Sequence, residues 1–149
     1  MNLISKLIYN FILLPLLMIL TLIGALFNKK IRTGISGRFK SIDSLKEFSK
    51  QLKPRNICYW FHAASYGEYE QIRPVLAGLK EVELHAKIIV SFFSPSGYNN
   101  VHDDHIDCKI YLPFDFPWII RKAMKLTRPK KLIFAAYDIW PNLIWSAHR

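Results

Sequence analysis

From Leu7 to Phe27 the chain carries no charged residue. This run constrains the fold more than any other feature, because a stretch of this length and apolarity is suited to a bilayer core of roughly 30 Å. Only Asn10, Pro15, Thr21 and Gly24 interrupt it. Lys6 precedes it, and Lys29, Lys30 and Arg32 follow it. By the positive-inside rule the C-terminal side faces the cytoplasm. A cleaved signal peptide would have a shorter apolar core and a small-x-small cleavage site. Neither is present, so residues 1–28 read as a retained membrane anchor. Asn10 and Pro15 weaken a full span and leave room for a helix that lies shallowly.

The next segment, residues 29–55, reads as a basic linker. Nine lysines and arginines, Arg38 among them, face only Asp43 and Glu47, so most of the net charge of +10 follows directly on the apolar run. That placement favours an anionic membrane surface over nucleic acid. Ser44 and Glu47 have capping-box spacing, and Leu45, Phe48 and Leu52 recur at near-helical intervals. A short amphipathic helix is expected to start there. The two cysteines, Cys58 and Cys108, have no disulfide-framework spacing and point to a reducing compartment.

The remainder, 56–149, alternates strand and helix signals. Strands are expected at Ile57–His62, Lys87–Phe93, Lys109–Leu112 and Lys131–Ala136. Helices are expected at Glu68–Lys80, Pro117–Leu126 and from Pro141 to His148. In the first of these helices Ile72, Val75, Leu76 and Leu79 share one face, and Pro74 fits only near the first turn or as a kink. Alternation of this kind implies parallel βαβ units, an α/β fold. The sequence ends at Arg149 inside a helix that should lead to another strand, so it reads as a fragment.

Chemistry-bearing residues cluster where strands end. Ligands of open α/β sheets bind beyond the carboxyl ends of the strands. The segment His62-Ala63-Ala64-Ser65-Tyr66-Gly67-Glu68 follows the first strand. Gly67 permits a tight turn and the close approach of a substrate. Glu68, at a helix start, can act as a general base or simply complement the helix dipole. Ser94-Pro95-Ser96-Gly97 follows the second strand; its hydroxyls and N–H groups suit a phosphate or sugar hydroxyl, or an ordinary turn. Asp138-Ile139-Trp140-Pro141-Asn142 follows the fourth strand, where Trp140 suits a sugar, an acyl chain or the core. The segment His102 to Cys108 holds many potential metal ligands but no zinc spacing. It is expected to be a solvated connection with no metal.

Four of these segments together resemble one family. Trp60-Phe61-His62-Ala63-Ala64-Ser65-Tyr66-Gly67-Glu68 is similar to the signature of the Kdo (3-deoxy-D-manno-octulosonic acid) transferases, a strand followed by His-x-x-Ser-x-Gly-Glu. Ser94-Pro95-Ser96-Gly97-Tyr98, Tyr111-Leu112-Pro113-Phe114-Asp115 and Asp138-Ile139-Trp140-Pro141-Asn142 resemble three further family segments, in the same order. The resemblance implies a GT-B architecture, two Rossmann-like halves with the active site between them, of which this chain would be the N-terminal, acceptor-binding half. It implies Glu68 as catalytic base with Asp138 in support. Substrate binding falls to Ser65, Gly67, Ser94, Ser96, Gly97 and Arg38. The implied partners are the lipid A precursor and, through an absent C-terminal half, the donor CMP-Kdo, with no metal or other cofactor, at the cytoplasmic face of a bacterial inner membrane. Two positions depart from the family pattern: Ala136 stands where many members have glutamate, and Asp138 where glutamate is more usual. A membrane-tethered binding module without activity, or a GT-B transferase using another nucleotide sugar, are the alternative readings.

Overall fold

A computed structural model of the chain describes residues 3–147. The apolar run is helical throughout, from Leu3 to Phe27. It comprises α1 (Leu3–Ile8), a π-helical turn (Tyr9–Leu13) and α2 (Leu14–Phe27), with Pro15 in the first turn of α2. Pro15 lacks an N–H and crowds the preceding turn, and the α-helical ladder is interrupted there by the π-helical turn. The helix ends at Asn28, whose backbone is extended and whose side chain accepts from the N–H groups of Lys30 and Ile31. Asn28 thereby caps α3 (Lys29–Gln51).

The expected linker is therefore one long helix, and no helix starts at Ser44. Ser44 Oγ donates to the Lys40 carbonyl and Glu47 pairs with Lys50 at 2.7 Å. The physical reason lies upstream. Residues 29–43 are already helical, so the N–H groups that Ser44 would cap are bonded within the helix. Gly37 lets α3 approach the sheet, since a Cβ there would lie 2.2 Å from the Tyr111 ring. Leu45 and Phe48 are buried at this contact.

Four parallel strands follow: β1 (Ile57–Ala63), β2 (Ala86–Phe92), β3 (Cys108–Tyr111) and β4 (Lys131–Phe134), in the order β3-β2-β1-β4. Between and after them run α4 (Tyr66–Val82), α5 (Pro95–Asn100), α6 (Pro117–Thr127) and α7 (Pro141–Ala147). This is an α/β fold with the strand order of a Rossmann half. Alternate residues of β1 serve two cores. Cys58 and Trp60 pack with Leu45, Ile89, Ile110, Ile120 and Leu143, while Tyr59, Phe61 and Ala63 pack with Tyr69, Ile72, Leu76, Ile88 and Val90. A strand buried on both faces reads as a continuous apolar run, as this one does.

Boundaries shifted by a residue or two. β4 stops at Phe134, where it pairs with His62, because β1 itself ends one residue later. The core face of α4 is Tyr69, Ile72 and Leu76; Val75 is exposed. Pro74 sits inside α4 on its exposed side, where the carbonyl it leaves unpaired can face solvent. Both cysteines are buried thiols, pushed up to about 12 by burial. His148, expected in the last helix, lies outside the described residues.

Candidate functional site

In this strand order the switch point lies between β1 and β4, and the crevice opens at their carboxyl ends. His62 and Asp138 meet there. His62 is buried, and its Nε2 lies 3.1 Å from Asp138 Oδ2. Its Nδ1 lies 3.0 Å from both the carbonyl oxygen and Oγ of Ser91. Trp60 Nε1–H donates to the same Oγ at 2.8 Å. An ionised Asp138 can only accept, so Nε2 carries a proton. Nδ1 then either accepts from the Ser91 hydroxyl or, in the imidazolium, donates to the Ser91 carbonyl. Burial pushes the Asp138 carboxyl up, but the hydrogen bond and charge of His62, the nearby indole N–H of Trp140 and the charge of Arg38 outweigh it and hold the pKa below the ordinary value. His62 and Ser91 are buried while the Asp138 side chain is 31% exposed, so the chain runs from the core to the edge of the crevice.

Glu68 stands in the first turn of α4. Ser65 is the N-cap, its Oγ accepting from Glu68 N at 3.4 Å. Glu68 Oε2 reaches back to accept from Ala64 N at 2.7 Å. This is close to a reciprocal capping box, formed at Ser65–Glu68 and not at Ser44–Glu47. It locks the carboxylate's position and leaves Oε1 for another partner. Asp138 bonds His62 rather than Glu68, so the two carboxylates are held independently. Gly67 has no positive φ, and a Cβ there would meet nothing within 4 Å. The tight-turn reason for a glycine is thus wrong at Gly67, because the residue is already helical; what the glycine leaves is open space beside Glu68.

Arg38 is not a solvated linker residue. It is buried, donates to the Phe93 carbonyl at 3.1 Å, and lies 4.1 Å from the Phe93 ring centroid. Phe93 in turn stacks on Trp140 at 5.3 Å. Burial pulls the guanidinium down to about 10, against the opposing charges of Asp138 and Tyr111. The same Arg38, Phe93 and Trp140 line an apolar cavity closed by Leu14, Leu17, Met18 and Thr21 of α2. Beside it, Ser94 caps α5 by accepting from Gly97 N, and its Oγ lies 2.8 Å from Ser96 Oγ. Ser94-Pro95-Ser96-Gly97 is therefore a helix start rather than a free turn. Gly97 is buried, and a Cβ there would lie 2.3 Å from the Phe92 ring, so packing demands the glycine.

Residues 34–149 match the family described as 3-deoxy-D-manno-octulosonic-acid transferase. The chain belongs to this family. It is 35% identical over 104 residues to the 3-deoxy-D-manno-octulosonic acid transferase of Aquifex aeolicus, covering 67% of this chain and 29% of that one. It is 33% identical over 87 residues to the Haemophilus influenzae protein of the same name, covering 57% and 20%. A probable mitochondrial one from Arabidopsis thaliana is 25% identical over 122 residues, covering 74% and 27%. The chain thus spans less than a third of the length of these relatives.

Two of the segments that resemble the Kdo transferases lock together in a way that spacing alone did not reveal. The buried Asp115 accepts from the N–H groups of Asn142 and Leu143, each at 2.9 Å, and so caps α7 from across the sheet end. Tyr9 Oη donates to its Oδ2 at 2.8 Å. Asn142 Nδ2 donates to Asn10 Oδ1 at 2.8 Å and to the Asp115 carbonyl. The π-helical turn carries both Tyr9 and Asn10 at this contact. Asn10, read from sequence as a weak point of a span, is a docking residue. Burial pushes the Asp115 carboxyl up to about 6, against these hydrogen bonds.

The segment from His102 to Cys108 is tied down more than a solvated connection would be. Asp103 accepts from Tyr69 Oη and lies 2.6 Å from His105 Nδ1. Asp107 pairs with Lys80 at 2.5 Å and Lys87 at 2.7 Å. Asp103 and Asp107 are thus occupied, Asp104 is exposed, and no metal-capable group of three forms among the described residues.

Proposed function

We propose that this chain is the acceptor-binding half of an enzyme that transfers Kdo from CMP-Kdo to the lipid A precursor in lipopolysaccharide biosynthesis. The observations that carry the reading are a carboxylate positioned just beyond the carboxyl end of β1, Glu68, and a buried cation, Arg38, that lines an apolar cavity. A cation next to an apolar cavity suits an amphiphile with an anionic head. In the reaction an acceptor sugar hydroxyl attacks the anomeric carbon of Kdo. The bond from that carbon to the phosphate oxygen breaks, CMP leaves with the electron pair, and Glu68 takes the hydroxyl proton. Ser65, Gly67, Ser94 and Ser96 border the acceptor. His62 holds Asp138, and Asp138 supports the charge balance around Arg38. CMP-Kdo is held by a second half, no metal or other cofactor takes part, and the enzyme works at the cytoplasmic face of the inner membrane.

The test is transfer itself, in a full-length protein carrying this half. Incubation with CMP-Kdo and lipid A precursor, followed by mass spectrometry of the lipid, should yield Kdo-bearing product. Transfer of a different sugar from another nucleotide donor, with none from CMP-Kdo, would replace this reading by the broader glycosyltransferase one.

A further inference from the structure

The apolar helix Leu3–Phe27 is long enough to cross a bilayer, but one narrow stripe of it, between Lys6 and Thr21, touches the domain. Near its start, Lys6 Nζ lies 5.5 Å from the Trp145 ring centroid, and Tyr9 meets the same ring edge-on at 5.6 Å. At the π-helical turn, Tyr9 and Asn10 bond Asp115 and Asn142. Further on, Leu14 is buried, and Leu17 and Thr21 close the cavity over Arg38. From Lys6 to Thr21 the docked stretch measures about 22 Å at about 1.5 Å per residue. Crossing a core of roughly 30 Å would drag the flank of the domain, with Asp115 and Arg38 just behind it, into hydrocarbon.

The opposite face has no protein partner among the described residues. Phe11 is 75% exposed, Leu26 72% and Phe27 86%, with Leu16 and Ile23 between them about half exposed. Two exposed aromatic residues of the domain, Phe39 and Trp118, lie at the flank of the cavity under α2. Phe39 packs edge-on against Phe114 and Trp118 stacks on Phe116, and both inner rings line the cavity under α2. Exposed Lys29, Lys30 and Arg32 follow directly in α3. An apolar face with aromatics at its flank and cations at its end is complementary to one leaflet with anionic head groups.

We infer that the apolar helix lies in the plane of the membrane, within a single leaflet, with its inner face clasped to the domain and its outer face among acyl chains. The membrane then meets the side of the domain that holds the cavity and Arg38. This disposition is independent of which sugar is transferred.

Topology decides it. The full chain, with a single cysteine in a short tag ahead of Met1 or with Ser36→Cys, is expressed in cells and converted to sealed membrane vesicles of each orientation. A membrane-impermeant maleimide is added; native Cys58 and Cys108 are buried and stay silent. Both introduced thiols should react from the same face. In a second readout, spin labels at Ile12 and Ile23 should report equal, shallow depths. The inference is overturned if the tag cysteine reacts only from the face opposite Ser36→Cys, or if the two depths lie on either side of the bilayer midplane. It is also overturned if the chain leaves the membrane at high salt, or if its outer face is covered by a second copy and labels identically without lipid. None of these outcomes bears on Kdo transfer, which is measured separately.

Discussion

Serine, two residues, then glutamate occurs at Ser44–Glu47 and again at Ser65–Glu68. At the first site the chain is already helical, so the serine bonds back to the Lys40 carbonyl and the glutamate pairs with Lys50 on the surface. At the second, β1 ends two residues earlier, four N–H groups of α4 are bare, and serine and glutamate satisfy two donors between them. A third helix start, that of α7, is capped by Asp115 from 27 residues away. The comparison teaches that a capping pattern acts only where the preceding chain is not helical. It also shows that a capping carboxylate can be held in place while keeping one oxygen for other work.

The sharpest way to break the comparison is to change the two glutamates alike. Glutamine still accepts from Ala64 N, so Glu68→Gln keeps the cap but removes the proposed base. Turnover of the full-length enzyme should fall by about 10²- to 10⁴-fold, with lipid affinity and melting temperature little changed. Glu47→Gln should leave turnover alone, as should Glu70→Gln, since Glu70 is exposed and only 3.7 Å from Arg73. Near-normal turnover in Glu68→Gln would reduce Glu68 to a cap.

The distant cap should show in the pH dependence of stability. Asp115 has a folded-state pKa of about 6 against an ordinary 3.8. The native state therefore binds this proton more tightly than the unfolded chain does. The stabilisation it contributes is fully present below about pH 4 and is lost as pH rises through about 6. The difference amounts to roughly 3 kcal/mol. Denaturant unfolding in detergent between about pH 4 and about pH 7.5 should show wild type losing about that much relative to Asp115→Asn, which has no carboxyl to titrate. Parallel curves for the two proteins would mean that Asp115 is not buried as described.

A smaller effect separates the two serines. Ser65→Ala should cost about 1 kcal/mol, the usual value of an N-cap. Ser44→Ala should be neutral or slightly stabilising, because alanine is the better residue inside a helix. Equal losses at both positions, read from unfolding midpoints, would contradict the helix boundaries.

The sequence by itself determined the α/β class, the four strands and the order of helices between them, because apolar periodicity and strand-end punctuation are local. It also marked His62, Ser65, Glu68, Ser94 and Asp138 as strand-end residues, and the family's segments made them a candidate site. Tertiary structure alone decided who meets whom. Arg38 was one basic residue among nine, singled out for substrate binding by the family resemblance, but only the packing of α3 shows that it lies under Phe93 and beside Asp138. Tyr9, Asn10, Asp115 and Asn142 gave no joint signal, because their separations along the chain follow from the sheet order and the helix docking. The longest apolar run was obvious from the first residues. Whether it stands across a membrane or lies along one is decided by the polar groups on its inner face, since hydrogen bonds to the domain hold a helix where hydrophobicity alone cannot.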